Sequence, residues 1–195
     1  MSTITVVRKN GYAAIAADTQ TTWGWERETA KYLVNHQKII QVGESYLAMT
    51  GSTTGKLVLR HYFDGLEQVP DFSNVNVIFA TWMKLHEALK ETYFLRPNED
   101  DNDSFESSRL DILIANAHGI FSVEARRSVQ EFSKFYAEGS GDNYAMGAMY
   151  ALYDDQSKSA EDIARAGVEA AAEFNIATGL PVLSHQVKLL KSSTR

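Results

Sequence analysis

Two hydroxyl residues, Ser2 and Thr3, stand directly behind Met1. Methionine aminopeptidases remove an initiator methionine when the next residue is small, so we expect a mature chain that begins with Ser2. An α-amine beside a hydroxyl can act as the general base for that hydroxyl. The ordinary pKa of an α-amine is about 7.7–8.0, so such an amine can accept a proton near neutral pH. The N-terminus is therefore a candidate nucleophile with its own base.

Two charged residues could adjust the basicity of this amine. Lys38 lies in a predicted strand, 37–42, that is otherwise mostly apolar, and Asp18 ends an earlier apolar strand, 12–17. An ammonium close to the amine would lower the pKa of the amine, and Asp18 is the matching anion. From these residues alone, the simpler interpretation is favoured: an exposed lysine on a strand face and an aspartate that opens a turn.

Other catalytic chemistry finds little support in the sequence. The chain has no cysteine, which excludes thiol nucleophiles, zinc–thiolate sites and disulfides. A nucleophile elbow around Ser140 would need glycine at position 138, where Glu138 stands. The 5 histidines show neither an HExxH motif nor another paired spacing. We therefore expect no metal and no cofactor.

Length and charge restrict the class of protein. A chain of 195 residues can bury a sizeable core, and we expect one domain over 1–195. The formal net charge of -6, with no basic stripe, argues against nucleic acid as a partner. No apolar run approaches the length of a membrane span, and no secretory signal is recognisable. With the lack of cysteine, this favours a cytoplasmic protein without a membrane partner.

The hydrophobic pattern predicts strands, two helices, strands, two helices and a final strand, which favours an α+β layered sandwich. Asn10-Gly11 is typical of a tight turn between two strands. An acidic stretch at 98–108 is expected to be an exposed loop. The first three predicted helices are 54–67, 75–95 and 143–153. A capping box at 159–162 predicts the start of a fourth helix, which runs to 177. The last two predicted strands are 129–137 and 182–190.

An ordered set of short motifs runs along the chain: Ser2-Thr3-Ile4, residues 7–11 and 15–18, Lys38, residues 47–53 and Gly139-Ser140-Gly141. In this set the chain resembles the β-type subunits of proteasomes, and among them the HslV-type bacterial peptidases. The resemblance is strongest near the N-terminus and continues as element order over nearly the whole chain. No single motif is specific, but the ordered set is.

This resemblance implies an N-terminal nucleophile hydrolase with a four-layer α-β-β-α sandwich. In such proteins two antiparallel sheets lie between two layers of helices. The subunits assemble into homo-oligomeric rings that enclose the sites at which polypeptides are cleaved, and HslV-type peptidases work with an ATP-dependent unfoldase. The resemblance thus predicts polypeptide substrates, a ring and an unfoldase partner for this chain.

The resemblance also assigns catalytic roles to residues. The family places its nucleophile sixteen positions before its active-site aspartate, and Ser2 has this spacing to Asp18 whereas Thr3 is out of register by one. Lys38 falls on the catalytic lysine of the family. Ser140 falls on the serine of the Gly-Ser-Gly turn, which bonds the terminal amine.

Four further positions follow from the same resemblance. Ala48 stands where a glycine usually provides the main-chain N–H of the oxyanion hole, and Met49 lies beside it in the substrate-binding stretch. Asn175 and Thr178 fall where many proteasome subunits have an Asp and a Ser that support the terminal amine. The nucleophile is also unusual, because serine lacks the methyl group that restricts the rotamer of threonine.

Two alternative functions stay open at this point. The first is a catalytically weak or inactive ring, which a retained Met1 would favour. The second is an amidase for small molecules, because this fold hosts several amide hydrolases; a monomer or dimer with an open cleft would favour it. A ring is also indicated by helix 75–95, which carries Phe79, Met83, Tyr93 and Phe94 around the helix in addition to Trp82 on its apolar side.

Overall fold

The computed structural model describes residues 2–96 and 104–190. Met1 and most of the acidic part of the predicted loop therefore lie outside the described residues. The strands are β1 (Thr3–Lys9), β2 (Tyr12–Ala17), β3 (Thr21–Trp23), β4 (Glu26–Glu28), β5 (Ile39–Val42), β6 (Ser45–Thr50), β7 (Asp111–Asn116), β8 (Gly119–Val123), β9 (Val129–Phe132), β10 (Phe135–Gly139) and β11 (Leu183–Lys188). The helices are α1 (Thr53–Asp64), α2 (Val75–Glu91), α3 (Asp142–Leu152) and α4 (Ala160–Phe174).

Two antiparallel sheets stand at the centre of the fold. One has the strand order β10-β1-β2-β11 and the other the order β5-β6-β7-β8-β9. Alternate residues of β1 and β2, such as Ile4 and Ile15, pack into a core between the sheets, while Val7 and Ala14 pack against α3 and α4. The opposite face of the second sheet packs against α1 and α2 around Trp82. The predicted α-β-β-α sandwich is confirmed.

The first hairpin fixes the position of the N-terminus. Asn10 and Gly11 both have positive φ, 50° and 79°, as a tight two-residue turn between twisted strands requires. The turn sets the register of β1 against β2, in which Ile4 faces Ala17. As a result, the residues before Ile4 lie beside the residues after Ala17, and this brings Ser2 and Thr3 close to Asp18.

The structure differs from the predicted strand 129–137. This segment forms two strands, of which β9 pairs with β8 in one sheet and β10 pairs with β1 in the other. Ser133 and Lys134 make the crossing, and the Lys134 carbonyl accepts a hydrogen bond from the Arg8 N–H. Two polar residues are enough to carry the chain from one sheet to the other because the sheets lie close together. The sequence pattern therefore contains no turn signal.

Several predicted element boundaries were also wrong by a few residues. Lys38 lies directly before β5 instead of within it, and α1 and α2 end at Asp64 and Glu91. Helix α4 ends at Phe174 because Asn175 is extended and its side-chain oxygen accepts the Ala177 N–H, which replaces helical bonding. Among the described residues, no helix has the length and hydropathy that crossing a membrane requires.

Candidate active site

Ser2 lies directly before β1, and hydrogen bonds to its main-chain carbonyl hold it there. Its carbonyl oxygen accepts the Ser140 N–H at 2.9 Å and the Ser140 hydroxyl at 3.4 Å. Gly139 has a φ of +110°, and a Cβ at this position would collide with the Ser2 carbonyl. Glycine is therefore required here both for its φ and for the close approach of the two backbones.

The Asp18 carboxylate lies fully buried beside the N-terminus and accepts four hydrogen bonds. Oδ1 accepts the Thr3 N–H at 3.0 Å and Lys38 Nζ at 2.7 Å. Oδ2 accepts the N–H groups of Gln20 and Gly179, both at 3.1 Å. A buried charge is tolerated when donors surround it in this way. Asp18 thus joins β1, β2, the segment before β5 and the loop after α4.

Lys38 forms a buried ion pair with Asp18, so the simpler interpretation of an exposed lysine was wrong. Its Nζ also donates to the Gln20 carbonyl. Burial lowers the pKa of Lys38, and the charge and hydrogen bond of Asp18 oppose this effect. A lysine with a lowered pKa exchanges protons more readily near neutral pH.

Ser140, Asn175 and Thr178 form a hydrogen-bond network around Ser2 and Thr3. The Ser140 hydroxyl lies 3.2 Å from Asn175 Oδ1, and Asn175 Nδ2 donates to the Ser140 carbonyl at 2.7 Å. Thr178 Oγ1 lies 3.2 Å from Asn175 Oδ1 and 2.6 Å from Thr3 Oγ1. The Thr3 hydroxyl is fully buried in this network, so of the two N-terminal hydroxyl residues it is Ser2 that lines the pocket.

A pocket opens beside Ser2, which is only 4% exposed. Met49, the predicted substrate-binding residue, lies in the lining of this pocket. The described residues that line it are Ser2, Thr21, His36, Lys38, Met49, Gly51, Ser52, Thr53 and Lys56.

Ala48 does not reach this pocket. It lies inside β6, paired with Ile39 on one side and Leu113 on the other, and its side chain is buried between the two sheets. The ladder of a central strand uses its main-chain groups, and Ala48 is not among the described residues that line the pocket. Gly51, the first residue after β6, lies at the pocket with a φ of +113°.

Two signals in the sequence could have located this position. Gly51 is a glycine, as the family pattern demands, and it follows the last apolar residue of the strand. The pocket residues His36, Thr53 and Lys56 were not predicted. His36 lies in a segment before Lys38 that has no periodic pattern, and the positions of Thr53 and Lys56 depend on how α1 packs. Within residues 2–96 and 104–190, no three His, Asp or Glu side chains converge as a metal site would require.

Comparison with known proteins decides the family. The ATP-dependent protease subunit HslV of Caulobacter sp. (strain K31) is 30% identical to the chain over 184 residues, which are 91% of this chain and 89% of that protein. The chain belongs to the HslV family. No general family model matches it. HslV-family membership confirms the resemblance to N-terminal nucleophile peptidases and the class of protease subunits.

Solved structures agree with this assignment. Thiobacillus denitrificans BPH is 56% identical, covers 96% of this chain and 98% of its own, and superimposes with a TM-score of 0.92. The same protein in complex with epoxomicin is 55% identical over 97% of this chain and 100% of its own, again with a TM-score of 0.92. The HslV of Trypanosoma brucei, at 17% identity, 95% and 99% coverage and a TM-score of 0.68, shares the fold.

Proposed function

We propose that this HslV-family chain is a peptidase subunit that hydrolyses peptide bonds with Ser2, exposed by removal of Met1, as its nucleophile. One observation carries the proposal. The Asp18 carboxylate binds both the Thr3 N–H, next to Ser2, and the Lys38 ammonium, and Lys38 lines the same pocket as Ser2. Once Met1 is removed, the free α-amine of Ser2 would lie beside its own hydroxyl and in the same pocket as the buried Lys38 cation, which supports this role.

The proposed reaction uses the hydroxyl and the α-amine of Ser2 together. The Ser2 hydroxyl attacks the substrate carbonyl carbon, and its proton passes to the α-amine. The negative oxygen of the tetrahedral intermediate is stabilised by the main-chain N–H of Gly51. The amine then protonates the leaving nitrogen as the peptide bond breaks, and water, activated by the same amine, hydrolyses the ester to free the Ser2 hydroxyl.

Lys38 and Asp18 act on this reaction through charge and position. The Lys38 ammonium disfavours protonation of the nearby amine and thereby keeps it available as a base. Asp18 holds Lys38 in place and, through the Thr3 N–H, fixes the main chain that carries Ser2. The Ser140, Asn175 and Thr178 network supports the same main chain from the other side and is proposed to orient the amine.

The proposal requires that Met1 is removed. Intact-mass spectrometry of purified protein should show a chain shorter by one methionine residue, and the same sample should hydrolyse a fluorogenic peptide amide. Epoxomicin, the ligand in complex with the similar Thiobacillus denitrificans BPH, should inhibit this hydrolysis. A sample that retains Met1 throughout would have no free amine base and would favour the alternative of an inactive ring.

We also propose a homo-oligomeric ring that works in the cytoplasm with an ATP-dependent unfoldase. On α2, Phe79 and Met83 are 46% and 44% exposed, although Trp82 on the same helix is buried in the core. Neighbouring subunits would cover these side chains. Light scattering should give the mass of a ring, and Met83→Glu should lower it whereas the control Lys84→Glu should not. A stable monomer at micromolar concentration would contradict the ring.

A further inference from the structure

The pocket beside Ser2 carries an unbalanced positive charge. Among the described residues that line it, the charged side chains are Lys38 and Lys56, both cations. Asp18 balances the charge of Lys38. Lys56 Nζ donates to the main-chain carbonyl of Asn35, and none of the ion pairs in the described parts of the chain includes Lys56. Lys56 therefore supplies the net charge of the pocket.

Lys56 occupies a position that is unfavourable for a cation. It is only 9% exposed, and it lies in the first turn of α1, where the helix dipole is positive and no acidic residue compensates it. Burial, followed by the charges of Arg60 and Lys38, lowers the pKa of Lys56. A buried cation without an anion lowers stability, and side chains in such environments are often functional.

The substrate side chain nearest to Ser2 belongs to the residue whose carbonyl carbon is attacked. We call this the acyl-side residue. Its side chain is attached to the carbon next to that carbonyl, so it enters the cavity that contains the nucleophile. Met49 offers apolar surface for its methylene groups, and Thr21 and Thr53 add hydroxyl groups. His36 is fixed by a 2.7 Å hydrogen bond between its Nδ1 and the Leu33 carbonyl.

We propose that Lys56 makes this enzyme select an acidic acyl-side residue, with glutamate preferred, because a glutamate carboxylate entering the pocket would supply an anion that the described residues do not place beside Lys56. The inference rests on the proposed peptidase function. It concerns specificity only: Lys56 does not touch the reacting atoms and takes no part in the bond changes.

Paired peptides test the selection directly. Acetyl-Leu-Leu-Glu and acetyl-Leu-Leu-Gln coumarin amides differ in charge and hardly in size. We expect kcat/KM for the Glu peptide to exceed that for the Gln peptide about tenfold, since hydrogen bonds to a charged group are roughly twice as strong as neutral ones and each 1.4 kcal/mol is a factor of ten. The ratio should fall at high ionic strength to the extent that the pocket is open to solvent.

Variants separate the charge of Lys56 from its support of the Asn35 carbonyl. Lys56→Gln keeps a donor and removes the charge, so the Glu-to-Gln ratio should fall to about one, while Lys56→Arg should preserve the preference. Lys84→Gln, on the exposed side of α2, is the control and should leave the ratio unchanged. A ratio of one or less in the unsubstituted protein, or an unchanged ratio in Lys56→Gln, would overturn the inference.

A binding measurement keeps this test independent of catalysis. In Ser2→Ala, fluorescence anisotropy with labelled forms of the same two peptides should show tighter binding of the Glu peptide, and Lys56→Gln in that background should remove the difference. If the unsubstituted protein cleaves neither peptide, the proposed function fails, and the binding ratio still decides whether Lys56 selects an acidic side chain. Equal binding of the two peptides to Ser2→Ala would overturn the inference.

Discussion

Ser2→Ala is expected to abolish peptide hydrolysis while the protein remains folded and assembled. Removing the attacking hydroxyl of an enzyme that forms a covalent intermediate lowers turnover by roughly 10⁴-fold or more. The hydrogen bonds that hold Ser2 use its carbonyl oxygen, so the substitution leaves them in place. Alanine is also small enough to allow removal of Met1. Initial rates on a fluorogenic peptide, intact mass and a thermal melt of the same sample measure the three properties together.

Two matched variants sharpen this prediction. Ser2→Thr retains a hydroxyl and an amine at the same position and should remain active, with the added methyl group restricting the rotamer. Thr3→Val removes the neighbouring hydroxyl, which contacts Thr178 and Gly141, so it should lower the free energy of unfolding by about 1 kcal/mol and preserve hydrolysis. Hydrolysis that survives in Ser2→Ala but is lost in Thr3→Val would move the nucleophile to Thr3.

The N-terminal half of the site was predictable from the sequence because it depends on local geometry. Asn10-Gly11 fixes the turn, the turn fixes the register, and the register places Asp18 beside Thr3. Once a turn and two apolar strands are recognised, the meeting of the N-terminus with Asp18 follows from the spacing alone. The family resemblance then supplied Lys38, which residue pattern alone assigned to an exposed face.

The features that the sequence pattern did not reveal depend on contacts between distant segments. The assignment of Ala48 counted along a strand without knowing which of its faces packs on the other sheet, and a strand places successive side chains on opposite faces. Residues 129–137 contain neither glycine nor proline, and apolar residues stand on both sides of Ser133 and Lys134, so the pattern did not reveal that the chain changes sheets there. The position of Lys56 in the pocket depends on how α1 packs, which a helical period does not determine.

Asp18→Asn is expected to impair both folding and hydrolysis. The carboxylate accepts two hydrogen bonds on each oxygen, whereas an asparagine amide presents an NH₂ group on one side. Whichever way the amide turns, two donors lose their acceptor, and the Lys38 ammonium is left buried without its anion. Breaking a buried ion pair by neutralising one partner costs roughly 3–5 kcal/mol, which is a large share of the free energy of unfolding of a typical domain.

Lys38→Met separates the loss of the ion pair from the loss of the Asp18 hydrogen bonds. It removes the cation that sits at the pocket while the three main-chain N–H groups still bind the carboxylate, so the loss of stability should be smaller than in Asp18→Asn. Hydrolysis should fall by about 10²–10⁴-fold, the usual contribution of a group that assists proton transfer. Urea denaturation of both single variants and of the double variant gives the coupling free energy between the two residues. If the two losses of stability simply add, and Lys38→Met retains near-normal turnover, then Lys38 and Asp18 are neither coupled nor part of the catalytic apparatus.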